Sequence, residues 1–173
     1  MQRPKKSVLN NKYEFTGVHR KHEGITIWQI IDIEGSLGGW IESEYNLSYD
    51  GDCWVGDDAI VYGNARVFGQ AHVCNKAIVC DSARVYDNSR ILGHAKIKGE
   101  AKVYESASVL DFGVVADEAE VYGNAQVLGH ARICGAAHLD GYTYAFGEAY
   151  VDCRYYDTGS LDGIPADYYG TGW

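Results

Sequence analysis

The sequence predicts an all-β chain whose centre is a stack of short strands. Three observations carry this reading. A six-residue repeat runs unbroken over residues 53–154, its core positions are β-branched, and the composition holds 21 Gly and 14 Tyr but only 2 Pro in 173 residues. β-branched and aromatic residues suit a pleated strand, and Gly suits the tight turns between strands.

Residues 1–52 lack the repeat. Ile25, Ile27, Ile31 and Ile33 alternate through ITIWQIIDI, the pattern of a half-buried strand. Lys12–Thr16 (KYEFT) is expected to pair with it as a hairpin across GVHRKHEG. The stretch GSLGGWIESEYNLSYDGDCW then leads into the repeats, so this region reads as a small N-terminal β cap.

The repeat occupies residues 53–154. Stepping by six from Val55 to Val151 meets seventeen positions, and all but Ala145 are Val, Ile or Leu. Two residues before each stands Ala in thirteen cases, with Cys53, Ser89, Gly113 and Thr143 as exceptions. Two residues after each stands Gly nine times and Asp five times, with Asn75, Glu105 and Cys153 completing the set. The unit reads Ala-x-Val-x-Gly-Asn. Residues two apart share one side of a strand, so Ala and Val point the same way. Gly, Asp and Asn tolerate positive φ, so each unit ends in a corner. A helix is excluded, because a period of six holds no single face at 3.6 residues per turn. A three-residue strand cannot bury its own apolar side, whereas stacked units can.

This pattern resembles the hexapeptide-repeat proteins. The resemblance covers residues 53–154 and implies a left-handed parallel β-helix, in which three hexads make one triangular coil of eighteen residues. Seventeen hexads then give about six coils. The left hand follows from the resemblance alone, since ordinary parallel crossovers are right-handed. In one departure, Gly or Asp stands two positions after the core residue here, one later than in the common family unit. The residues Gly35, Leu37, Gly38, Gly39, Trp40, Asn46, Leu47, Ser48, Cys53, Trp54 and Val55 are also similar to a segment in small hexapeptide-repeat proteins of phages and their bacterial hosts. Most members of that group lack an established activity. Residues 155–173, with Tyr155, Tyr156, Tyr168, Tyr169 and Trp173, are expected to wrap over the last coil or a flat face.

Charge narrows the partners. Residues 1–21 carry six Lys or Arg against Glu14, a balance of +5, and residues 22–173 carry nine against 23 acids, a balance of −14. An acidic body repels phosphate backbones, which disfavours general nucleic-acid binding. No run of 18 apolar residues and no secretory signal is present, so the expectation is a cytoplasmic protein that does not enter the membrane.

Eighteen-residue spacing sorts the outward residues into ladders. Phe68, Tyr86, Tyr104 and Tyr122 form one, beside Arg66, Arg84, Lys102 and Glu120. This basic-aromatic face is the candidate binding strip for a host protein or a small nucleotide, with Arg66 and Arg84 as anion holders. Leu92, Leu110, Leu128 and Phe146 form a second ladder, and Ile60, Ile78 and Val114 mix with Lys96, Lys98 and Arg132 on the third face. Outward apolar ladders need a cover, either the chain's own tail or further copies. Trimers are common among the similar families, so a homotrimer is expected.

No metal centre or cofactor is expected. The five Cys include no CxxC, and Cys80 and Cys134 fall three coils apart, too far for a disulfide. Zinc enzymes of this fold need two His spaced five apart, and no pair here has that spacing. The similar acyltransferases use a His as general base, a role open to His94 or His130 with acyl-coenzyme A as donor. Those enzymes interrupt their coils with a loop that builds the acceptor site, and no hexad is broken here between Val55 and Val151. The expected function is therefore a non-catalytic binding scaffold, in its concrete form a phage-encoded inhibitor of a host defence factor. An acyltransferase and a self-assembling polymer are the alternatives.

Overall fold

A computed structural model describes residues 12–152 and 155–162 of the chain. The expected tail residues Tyr168, Tyr169 and Trp173, and Cys153, lie outside the described residues. The architecture is an all-β parallel β-helix of about seven turns. Most repeats contribute a two-residue strand ending at the core residue, and His138–Phe146 runs as one strand through two repeats. Parallel pairing joins residues eighteen apart, as in Arg90 with Ser108 and Ile91 with Val109. The first face stacks Val55, Val73, Ile91, Val109, Val127 and Ala145. The second stacks Ile41, Val61, Val79, Ile97, Val115, Ile133 and Val151. The third stacks Leu47, Val67, Val85, Val103, Val121 and Leu139. Ala and Val of each unit are both shut from water, as with Ala95 and Ile97, so the core is one continuous column.

Corners explain the third recurring feature of the unit. Every sixth residue from Gly51 to Gly147 has φ between +54° and +73°. The acids and the Asn in these slots do more than tolerate that geometry. Asp57 Oδ2 accepts the Asn75 N–H (2.9 Å), Asn75 Oδ1 accepts Gly93 N–H (3.1 Å), and Asp81 Oδ2 accepts Gly99 N–H (2.9 Å). Each side chain thus satisfies a corner N–H of the next coil, which a two-residue strand leaves without a ladder partner.

The helix gains a turn beyond the hexads because residues 40–52 already follow its path. Trp40 pairs with Ile60 and Leu47 bridges to Val67, each twenty residues on, before Trp54 takes up the eighteen-residue step with His72. Asn46 replaces a corner here. Fully buried, it accepts the Ser43 N–H and donates to the carbonyls of Gly63 (3.0 Å) and Ala65 (2.9 Å). Gly38 and Gly39 lie so close to the first coil that a Cβ would come within 2.6 Å of the Trp54 ring and 2.7 Å of the Ala59 carbonyl.

The cap is an antiparallel hairpin of β1 (Tyr13–His22) and β2 (Ile25–Asp32), followed by β3 (Leu37–Ile41). β1 is longer than the sequence suggests. Its turn is only Glu23-Gly24, both at positive φ, and Gly17 lies at an irregularity in its pairing with β2. One end of the hairpin plugs the core: Tyr13 and Ile30 are buried against Ile41, Leu47 and Val55, and Tyr13 Oη donates to the Leu47 carbonyl (3.0 Å). Its other end lies outside the second face, where Ile27 and Trp40 cover Ile60, Tyr62 and Cys80. Part of the expected outward ladder is therefore covered by the hairpin. Ile33, read as a strand residue, stands past the end of β2 and is 69% exposed. At the far end Tyr155–Asp162 pairs in parallel along His138–Phe146 and buries Leu161 over the core. Among the described residues no helix is long and apolar enough to cross a membrane.

Candidate binding faces

The third face carries the basic-aromatic strip. Phe68, Tyr86, Tyr104 and Tyr122 are half-buried and stack with centroids 4.8, 4.9 and 4.9 Å apart and planes within 5° of parallel. The coil spacing imposes this, because a side chain at a fixed slot recurs once per strand separation. A base entering between two rings needs about 7 Å between them, twice the contact distance. The interior ring faces are therefore occupied by one another, and the strip presents ring edges and hydroxyls.

Beside the rings, Arg66, Arg84 and Lys102 stand directly opposite one another in the ladder. Arg66 lies 4.9 Å over the Tyr45 ring. Lys102 meets Glu120 Oε1 at 2.6 Å, and Tyr104 Oη donates to Glu120 Oε2 (3.0 Å). Burial works to raise the Glu120 carboxyl, yet the hydrogen bonds from Lys102 and Tyr104, with the charges of Lys102 and His138, hold it below its usual 4.5. Arg84 is exposed, has a cation on each side and makes no ion pair among the described residues. Like charges set opposite in a ladder destabilise it.

Burial pushes the phenols of the stack up, Tyr104 with added help from its bond to Glu120, and Tyr122 to about 12 with help from Tyr155. A raised phenol pKa means the fold stabilises the neutral form. That contribution is full below the ordinary value of 10 and is lost as pH rises through about 12 for Tyr122. An alkaline absorbance titration of the folded protein is expected to show a late tyrosine class, and one transition near pH 10 would contradict the stack.

Leu92, Leu110, Leu128 and Phe146 line up beside the first face as expected, but each is half-buried. The corner next to them stacks His94, Phe112 and His130, with centroids 5.0 and 4.9 Å apart. Both imidazoles lay a face on Phe112, and no carboxylate hydrogen-bonds to either among the described residues. Cys80 and Cys134 point out of the coil yet are buried, and Cys53, Cys74, Cys80 and Cys134 are all free thiols.

Sequence reasoning missed the recess of about 640 Å³ at the N-terminal end, between the turn after β2 and the first coil. Asp32, Glu34, Asp50, Asp52, Cys53, Trp54 and His72 are among its lining residues, together with Lys12. Its only sequence signal is Cys53 in a slot where Ala is usual. Among the described residues no group of three His, Cys, Asp or Glu side chains is placed to hold a metal ion. No protein-family model and no curated protein matches the chain.

Proposed function

We propose that the chain is a non-catalytic binding scaffold that docks an acidic segment of a partner protein on its third face. One observation carries this reading: Arg66, Arg84 and Lys102 stand in opposed register, and among the described residues only Lys102 is neutralised by an acid of its own. A carboxylate from a partner relieves that repulsion and gains charge-assisted, bidentate bonds from Arg84. The hydroxyl edge of Tyr86 supplies a polar contact, on a surface that loses little freedom on binding because Glu120 already fixes Tyr104. Stacked ring faces argue for a protein over a nucleotide. The resemblance to small phage and bacterial repeat proteins directs the proposal to a host protein as the partner, with inhibition of a defence factor as its concrete form.

Two features favour this over the alternatives. Among the described residues no carboxylate hydrogen-bonds to the imidazole of His94 or His130, so neither is oriented as the base of a Ser-His-Asp triad is. The hairpin closes the N-terminal coil end with Tyr13 and Ile30, so end-on stacking of coils finds no open coil there.

The test is quantitative capture from a bacterial lysate by three immobilised forms: wild type, Arg84→Glu with Tyr86→Ala, and Arg90→Glu on the first face. A protein held by wild type and Arg90→Glu is expected to be lost at least roughly tenfold by the double variant. Equal retention by all three, or none by wild type, overturns the reading.

A further inference from the structure

At the foot of β1 the Lys12 ammonium reaches down to the first coil. Nζ donates to the carbonyls of Ser48 (3.1 Å) and Gly51 (3.0 Å) and sits 3.1 Å from Cys53 Sγ. Cys53 packs fully inside the coil, yet it borders the recess at this end together with Lys12. Its slot is Ala in thirteen of seventeen repeats, so packing does not require sulfur there. Cys53 is a free thiol, and its other near neighbours are the carbonyls of Ser48, Asp50 and Val67 at 3.5, 3.8 and 3.7 Å. An amine and a thiol held in contact beside an open recess form a pair that one oxygen atom can bridge.

We propose that Lys12 and Cys53 are a modification site, at which peroxide installs a reversible N–O–S crosslink between Nζ and Sγ. The oxidant is hydrogen peroxide, admitted through the recess. First, the Cys53 sulfur attacks one peroxide oxygen. The O–O bond breaks, an S–O bond forms, sulfur loses two electrons, and the thiol proton leaves with the displaced hydroxide as water. Lys12 then reacts as the free amine, its ammonium having given one proton to solvent. A second peroxide takes two more electrons as the N–O bond forms between Nζ and the sulfenic oxygen. One N–H proton and the sulfenic proton leave with the two reduced peroxide oxygens as two waters. Two equivalents of a dithiol reverse the sequence and return thiol, amine and one water. The link closes a span of 41 residues and ties the first strand of the cap to the first coil.

Intact-mass and peptide-map spectrometry of the full chain, before and after hydrogen peroxide, tests this. The expected product gains about 14 Da, one oxygen added and two hydrogens lost, and reverts with dithiothreitol. The map is expected to hold one crosslinked peptide joining Lys12 to Cys53, with no tryptic cut after Lys12. Cys53→Ala places the usual residue of the slot and is expected to fold, and Lys12→Met keeps the stem without the amine. Both are expected to lose the 14 Da species completely. The linked wild type is expected to unfold at a higher midpoint than its reduced form, with no such rise in Lys12→Met. The proposal is overturned if Cys53 gains only about 16 or 32 Da with Lys12 unlinked. Persistence of the 14 Da species in either variant, or an unchanged Cys53, overturns it equally.

Discussion

Ile97→Asp is expected to destroy the cooperative β-helix. Ile97 is fully buried on the second face, in register with Val79 below and Val115 above. Its surroundings are the Ala and Val of neighbouring coils, which offer a carboxylate neither a charge partner nor a donor. An unpaired buried charge costs about 5 kcal/mol or more, comparable with the whole stability of a domain near 5–15 kcal/mol. The position adds to the damage. In a stacked coil each turn touches only its neighbours, so a break at mid-shaft leaves two short halves. The matched control is Arg90→Gln, an exposed outward residue of the adjacent face, expected to stay within about 0.5 kcal/mol of wild type. Urea unfolding followed by circular dichroism checks both. An Ile97→Asp chain with the wild-type midpoint would show that this column is not the core.

Gly93→Val is expected to be a strongly damaging corner substitution at mid-shaft. Gly93 sits at φ +73°, and a Cβ there would meet the Asp111 carbonyl oxygen at 2.8 Å and its nitrogen at 2.9 Å. The backbone conformation alone costs a non-glycine residue about 1–2 kcal/mol. Forcing the next coil away adds about 1–3 kcal/mol, for a total near 2–5 kcal/mol. Gly24 separates the two effects, because it has φ +82° with nothing within 4 Å of a Cβ. Gly24→Ala therefore carries the strain without the clash and is expected to cost about 1 kcal/mol. Gly93→Asn is expected to fall between, since Asn75 and Asp111 already occupy the same corner column at positive φ. Equal costs for Gly93→Val and Gly24→Ala in denaturant titrations would contradict the stacked corners.

What was legible in the sequence followed from periodicity. A period of six with Ala and Val two apart fixes which side chains face in, and the stacking of Phe68, Tyr86, Tyr104 and Tyr122 follows from the spacing alone. Three things were not legible. The corner acids read as turn formers, because their bonds to the next coil join residues eighteen apart that share no local motif. Asn46 is one polar residue in an irregular segment, and its burial depends on a coil that carries no hexad. The cap's contact with the second face joins Ile27 to Ile60 across the coil entrance, and no repeat predicts it. The candidate strip was legible as a set of residues. Its chemistry was not, because only the ring spacing shows that the faces are closed and the edges and cations are left for a partner.

The claim under everything else is that residues eighteen apart are neighbours throughout the shaft. Cysteine-pair crosslinking tests it most directly, in a background where the native thiols are replaced by Ala or Ser. Ser108 and Gln126 are paired across adjacent coils of the first face, within the roughly 7 Å that a disulfide requires between Cα atoms. Ser108→Cys with Gln126→Cys is expected to close under mild oxidation. Ser108→Cys with Glu120→Cys, twelve residues apart and on different faces, is expected to stay open. Closure of the twelve-residue pair with failure of the eighteen-residue pair would contradict the three-sided coil and every face assigned from it.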